Sequence, residues 1–113
     1  MDKLVTMKEN FEFRRVYGKG KSIVSPLLVT YAFKRKNTDS LRFGFTSGKK
    51  IGCAVERNRS RRVLRAAASS LFDDMGKGWD IIFVARSATA AAKSYDVAKV
   101  MRKHLEALSV ITT

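Results

Sequence analysis

The chain has 113 residues, 45% of them hydrophobic, and its 23 Lys and Arg against 10 Asp and Glu give a formal net charge of +13. This length suits one domain, 1–113, around a single core; no segment reaches the roughly 18 uninterrupted apolar residues of a membrane span and MDKLVTMKEN lacks the apolar stretch of a signal peptide, so a cytoplasmic location with no membrane partner is expected. Basic residues set beside Phe and Tyr favour a nucleic-acid partner over an anionic membrane, and the lone Cys53 excludes an internal disulfide.

In chain order, Phe13, Val16 and Tyr17 recur at i, i+3 and i+4, with Gly18 and Gly20 as stop signals, so a short first helix is expected from Lys8 to Tyr17. SIVSPLLVTYAF then alternates about Pro26. Leu27, Val29, Tyr31 and Phe33 fall on one side and Leu28, Thr30 and Ala32 on the other, as in a strand broken or bulged at the proline. KRKNTDS is a polar turn, and LRFGFTS sets Phe43 and Phe45 on one face of a returning strand; the two strands read as an antiparallel hairpin with a basic tip. A glycine-containing connection, Gly48 to Val55, leads into a second helix expected over about Glu56 to Phe72. WDIIFVA, Trp79 to Ala85, reads as a buried central strand. After an alanine-rich loop, Ser94 is the expected N-cap of a last helix in which Val97, Val100, Met101, Leu105 and Leu108 keep helical spacing. The order α, β, β, α, β, α is that of an α+β sandwich.

Charge is concentrated in KKIGCAVERNRSRRVLR, Lys49 to Arg65, which carries seven basic side chains and a single acid, Glu56. At helical spacing Arg57, Arg61, Arg65, Asn58, Arg62 and Arg59 share one half of the cylinder, while Val63, Leu64, Ala67 and Leu71 share the other. One half packs, and the other is a row of guanidinium groups with no interleaved acids. Such groups fork onto phosphate oxygens and stay charged at any working pH, so a folded RNA is the expected partner. Phe13 and Tyr17 on the first helix, with Tyr31 and Val29 on the strand, are a second candidate surface on which unpaired bases could stack. Spacing alone favours core for this set. Phe11 should lie on a different face and takes no part.

Catalysis by the protein itself is not expected. His104 and Cys53 are the sole histidine and cysteine, and neither has a third partner in the sequence to complete a nucleophile, a base and an orienting group. Asp73 and Asp74 read as loop residues, and no Cys/His spacing suits zinc.

Read together, the charged stretch resembles the signature of the protein subunit of bacterial ribonuclease P: Ser47 with Lys49 and Lys50, then Gly52, Ala54 and Val55, then Arg57, Asn58 and Arg59. Phe13, Val16, Tyr17, Gly20, Tyr31 and WDIIFVAR extend the similarity over nearly the whole chain. Gly48 stands as a spacer between Ser47 and the lysines. The resemblance implies a four-stranded sheet packed with helices, of the type in domain 2 of ribosomal protein S5, with a left-handed crossover through the arginine helix. It implies that a large RNA is the catalyst, with Mg²⁺ at its active site, and that the protein assists removal of the 5′ leader from precursor tRNA. It assigns Lys49, Lys50, Arg57, Asn58, Arg59, Arg61, Arg62 and Arg65 to the catalytic RNA, and Phe13, Tyr17, Val29 and Tyr31 to a leader-binding cleft. No obligate protein partner is implied. The alternatives are a structural RNA-binding protein of ribosomal type, which would show no preference for a leader, and a protein-only nuclease, which would cleave with no RNA added.

Overall fold

The computed structural model describes residues 4–48 and 51–112 and forms a mixed sheet covered on both faces by helices. A short strand β1 (Val5–Thr6) leads into α1 (Asn10–Lys19). Helix α1 starts where Glu12 Oε1 accepts the backbone N–H groups of Glu9 at 2.9 Å and Lys8 at 3.2 Å, satisfying donors that a helix start leaves orphaned. It stops at Gly20, whose N–H reaches Val16 O at 2.9 Å. A Cβ there would stand 2.6 Å from Val16 O and 2.7 Å from Ala32 O, so only glycine lets the chain turn this close to the sheet.

Strands β2 (Lys21–Val24) and β3 (Leu28–Lys34) pair antiparallel. The alternating segment expected as one strand interrupted at Pro26 is therefore a hairpin. Pro26 sits in its turn, where a missing N–H breaks no ladder bond, and Ser25 closes it by donating N–H and Oγ–H to Leu28 O, both at 3.0 Å. Strand β4 (Arg42–Ser47) does not pair with β3 as expected. Strand β5 (Trp79–Ala85) lies between them, antiparallel to β3 and parallel to β4. The reason lies in β5 itself: its run of apolar residues is buried on both faces and needs a neighbour on each side. A parallel partner in turn needs a crossover, which α2 (Ala54–Leu71) supplies. The sheet has five strands rather than four, in the order β1-β4-β5-β3-β2, because β1 adds two residues alongside Arg42 and Phe43.

Helix α1 packs on one face, where Met7, Val16 and Ile82 are buried with Phe13, Tyr31, Phe33 and Val84 around them. Helices α2 and α3 (Ser94–Ala107) pack on the other, over Leu28, Phe43, Ile81 and Phe83. The rings of Phe43 and Phe45 each stack on Phe83, at 6.3 and 5.9 Å between centroids. His104 of α3 is buried on this second face, its Nδ1 2.8 Å from Thr30 Oγ1, and burial pushes its pKa down. Asp74, in the 3-10 turn that ends α2, pairs with Arg102.

One polar knot ties α1 to β4, β5 and the turn that follows β3. Asp80 is fully buried, yet Arg42 reaches it at 2.9 and 2.8 Å, Arg35 at 2.8 Å and Arg15 at 3.2 Å. Arg42 also pairs with Glu12, which is held below the usual carboxylate range by the backbone N–H of Glu9 and then of Lys8, with the Arg42 guanidinium adding to the effect. No helix among the described residues is long and apolar enough to cross a membrane.

Candidate nucleic-acid interface

Helix α2 begins two residues before the expected start, with Cys53 at its N-cap, and its Ala, Arg and Leu content suits a long helix. Ser60, Leu64, Ala67, Ala68 and Leu71 face the core; Ser60 is tolerated there because its hydroxyl donates to Arg57 O at 2.8 Å. The predicted arginine face is the exposed one. Arg59 and Arg62 point to solvent and make no hydrogen bond or ion pair among the described residues. Arg57 Nη1 donates to Gly52 O at 3.1 Å and so braces the loop that enters the helix. Arg61 donates to Asn58 Oδ1, and the Arg65 guanidinium lies 5.6 Å from the centre of the Phe45 ring. Lys49 and Lys50 lie outside the described residues.

The aromatic set lies on the α1 face of the sheet. Tyr17 and Tyr31 meet edge to face, 4.8 Å between centroids at 80°, and Tyr17 keeps 43% of its surface exposed. Partial burial, and then the neighbouring Tyr31 ring, push the Tyr17 hydroxyl pKa up, so it is a neutral donor near pH 7. Strand register puts Ser22, Tyr31, Ile82 and Gly44 in one cross-sheet row and Val24, Val29, Val84 and Thr46 in the next. Helix α1 covers the first row at Gly44, Ile82 and Tyr31 and leaves Ser22 exposed. In the second, Val29, Val84 and Thr46 are half-buried and Val24 is 63% exposed, which leaves an accessible apolar strip on the sheet face that carries Tyr31; this strip with Tyr17 and Tyr31 is the candidate cleft.

One member of the aromatic set, Phe13, meets the arginine face. A groove of about 730 Å³ lies along β4 where it runs on past β1, lined by Phe13, Gly44 and Phe45 together with Asn58, Arg61, Arg62 and Arg65. Its sheet wall is thin at Gly44: a Cβ there would stand 2.5 Å from Phe13 Cε1, so the ring lies directly on the strand backbone. Phe13 thus joins four of the predicted α2 residues, while Arg57, Arg59, Tyr17, Val29 and Tyr31 lie outside the groove. Sequence reasoning missed Val24 and Val84 of the apolar strip, although both keep the two-residue alternation of Val29 with their neighbours. It also missed Arg86 as a site residue. Arg86 is exposed at the end of β5 and donates to Ser25 O at 3.1 Å, beside that strip.

Exposed guanidinium groups beside aromatic rings and apolar side chains match the chemistry of phosphates and unpaired bases. His104 lies beneath the opposite face of the sheet. Among the described residues, no three His, Cys, Asp or Glu side chains stand together as a metal cage.

Residues 1–109 match the family model described as Ribonuclease P. The ribonuclease P protein component of Thermoanaerobacter sp. (strain X514) is 39% identical over 101 residues, covering 89% of this chain and 86% of the relative. That of Clostridioides difficile (strain 630) is 39% identical over 94 residues, covering 82% of each. Among solved structures, the Staphylococcus aureus ribonuclease P protein superposes with a TM-score of 0.81 at 28% identity, over 97% of this chain and 100% of that one.

Proposed function

The chain belongs to the ribonuclease P protein family, and from that premise we propose that it binds the ribonuclease P RNA through the exposed face of α2 and the 5′ leader of precursor tRNA in the cleft beside α1. It thereby assists RNA-catalysed endonucleolytic removal of the leader. The observation that carries this reading is the groove in which Phe13 faces Asn58, Arg61, Arg62 and Arg65. A leader strand stacked on Tyr17 and Tyr31 over Val29 reaches, at Phe13, the cations that hold the catalytic RNA. Each stacked base contributes about 1–3 kcal/mol with little dependence on sequence, as required of a surface that meets leaders of many sequences.

Arg59, Arg62 and Arg65 neutralise phosphates of the catalytic RNA, with Arg61 and Asn58 acting as one hydrogen-bonded unit and Arg57 holding the Gly52 backbone at the entry to α2; Lys49 and Lys50 are assigned to the same RNA. Mg²⁺ belongs to RNA phosphates in this reading. With phosphate repulsion screened, the complex forms at lower Mg²⁺ and prefers precursor over mature tRNA.

The test mixes the purified chain with a bacterial ribonuclease P RNA at Mg²⁺ low enough to leave that RNA nearly idle, and follows precursor tRNA cleavage. Cleavage in the mixture and none with protein alone is the expected result. No cleavage in the mixture, with RNA binding retained, would return the chain to a structural RNA-binding role. Cleavage by protein alone would make it a nuclease in its own right.

A further inference from the structure

The far flank of α1 carries a second i, i+4 pair, Phe11 and Arg15, turned away from the Phe13–Tyr17 cleft. It opens on a cavity of about 570 Å³ whose walls include Phe11, Arg15, Lys34, Arg35, Lys36 and Arg42. Five of these six side chains are cations, and the acids that meet them, Asp80 and Glu12, are buried behind the wall. Two carboxylates face three guanidinium and two ammonium groups, which leaves the opening positive.

Lys36 makes no hydrogen bond or ion pair among the described residues, and the Arg15 side chain, one-third exposed, spends one guanidinium N–H on Asp80 at 3.2 Å and keeps an accessible edge. Phe11 stands over the rim with 57% of its surface exposed, while the Arg15 guanidinium is held 5.2 Å from the Phe33 ring centre. An exposed ring beside fixed guanidinium groups and a free ammonium matches the two ends of a nucleotide, base and phosphate.

We propose that this cavity is a second site for single-stranded RNA, holding one nucleotide with its base on Phe11 and its phosphate on Lys36 and Arg15. It rests on the RNA-binding reading above, but uses neither the α2 arginines nor the Phe13–Tyr17 cleft. The cavity and the cleft lie on opposite flanks of one helix, so a strand long enough to cross α1 could occupy both.

The ¹⁵N-labelled full chain titrated with hexauridylate tests this by NMR. Two saturable sets of amide shifts are expected, one at Val24 and Tyr31 for the cleft, the other at residues 34–38 for the cavity. Phe11→Ala should weaken the second set about tenfold and leave the first in place. Lys36→Glu should do likewise, beyond any change caused by the same charge reversal in Lys103→Glu on α3. Phe11 and Lys36 are exposed, and retained shift dispersion would verify folding. Shifts in the cleft alone, or cavity shifts indifferent to both variants, would overturn the second site while sparing the cleft. Cavity shifts alone would sink the leader cleft and keep the second site. Equal binding of inorganic phosphate would reduce the cavity to an anion site and overturn the nucleotide.

Discussion

Arginine serves two opposite ends in this molecule, on either side of one sheet. Arg15, Arg35 and Arg42 converge on buried Asp80, whereas Arg59 and Arg62 of α2 stand in solvent without partners among the described residues. The first group is held by a carboxylate that cannot leave, and is part of the fold. The second has no ion-pair partner among the described residues, so its electrostatic gain waits for an external anion. The side chain is the same; burial and the presence of an acid decide whether it serves stability or binding.

The largest expected effect is on the buried side of that contrast. Asp80→Ala strands three guanidinium groups around an uncompensated site and should cost about 3–5 kcal/mol of stability, read by urea unfolding. A loss below about 1 kcal/mol would show that water already compensates the cluster. The exposed side should answer in the other observable: the double variant Arg59→Ala, Arg62→Ala should keep its Tm while the slope of log K against log salt for the catalytic RNA becomes shallower by about 2. A lowered Tm with an unchanged slope would exchange the two roles.

A smaller effect is expected at Tyr17. Removing its ring in Tyr17→Ala forfeits the edge-to-face pair with Tyr31, about 0.5–1.5 kcal/mol of stability, and should weaken precursor tRNA more than mature tRNA. Equal weakening of both would detach the cleft from the leader. The smallest change concerns His104, which is buried neutral with its pKa below the unfolded value. Above the unfolded pKa, near 6.5, neither state holds the proton. As pH falls below that value the unfolded chain binds it first, so stability declines towards the folded pKa. His104→Gln should flatten the decline; a profile unchanged by the substitution would assign it to carboxylates such as Glu12.

Much of this was legible where physics is local. The 3.6-residue spacing of Phe13, Val16 and Tyr17, and of the last helix, gave those helices to within a few residues, and WDIIFVA was bounded as it stands in the sheet. The arginine face needed only the angular positions of Arg57 to Arg65. Strand pairing was another matter. Strands β3 and β4 follow one another with a turn between, so a hairpin is the natural local reading, and only the non-local demand of β5 for two neighbours separates them. Asp80 hid within an apolar run because its partners Arg42 and Arg15 lie 38 and 65 residues away. The groove joining Phe13 to α2 was illegible for the same reason, since it exists only once the β4 edge is flanked by both helices. Phe11 fell from view because it faces away from Phe13, although that orientation is what turns it towards the cations.

Gly44 has a consequence of a different kind. Phe13 rests on bare backbone there, so the spacing between α1 and the β4 edge is set by an atom that is missing. Surveys that shorten side chains one by one would register nothing at this position, because there is nothing to shorten. A single added methyl is the informative perturbation: it would push the Phe13 ring outward, narrow the passage to Arg61 and Arg62, and alter both proposed RNA surfaces without touching a charge.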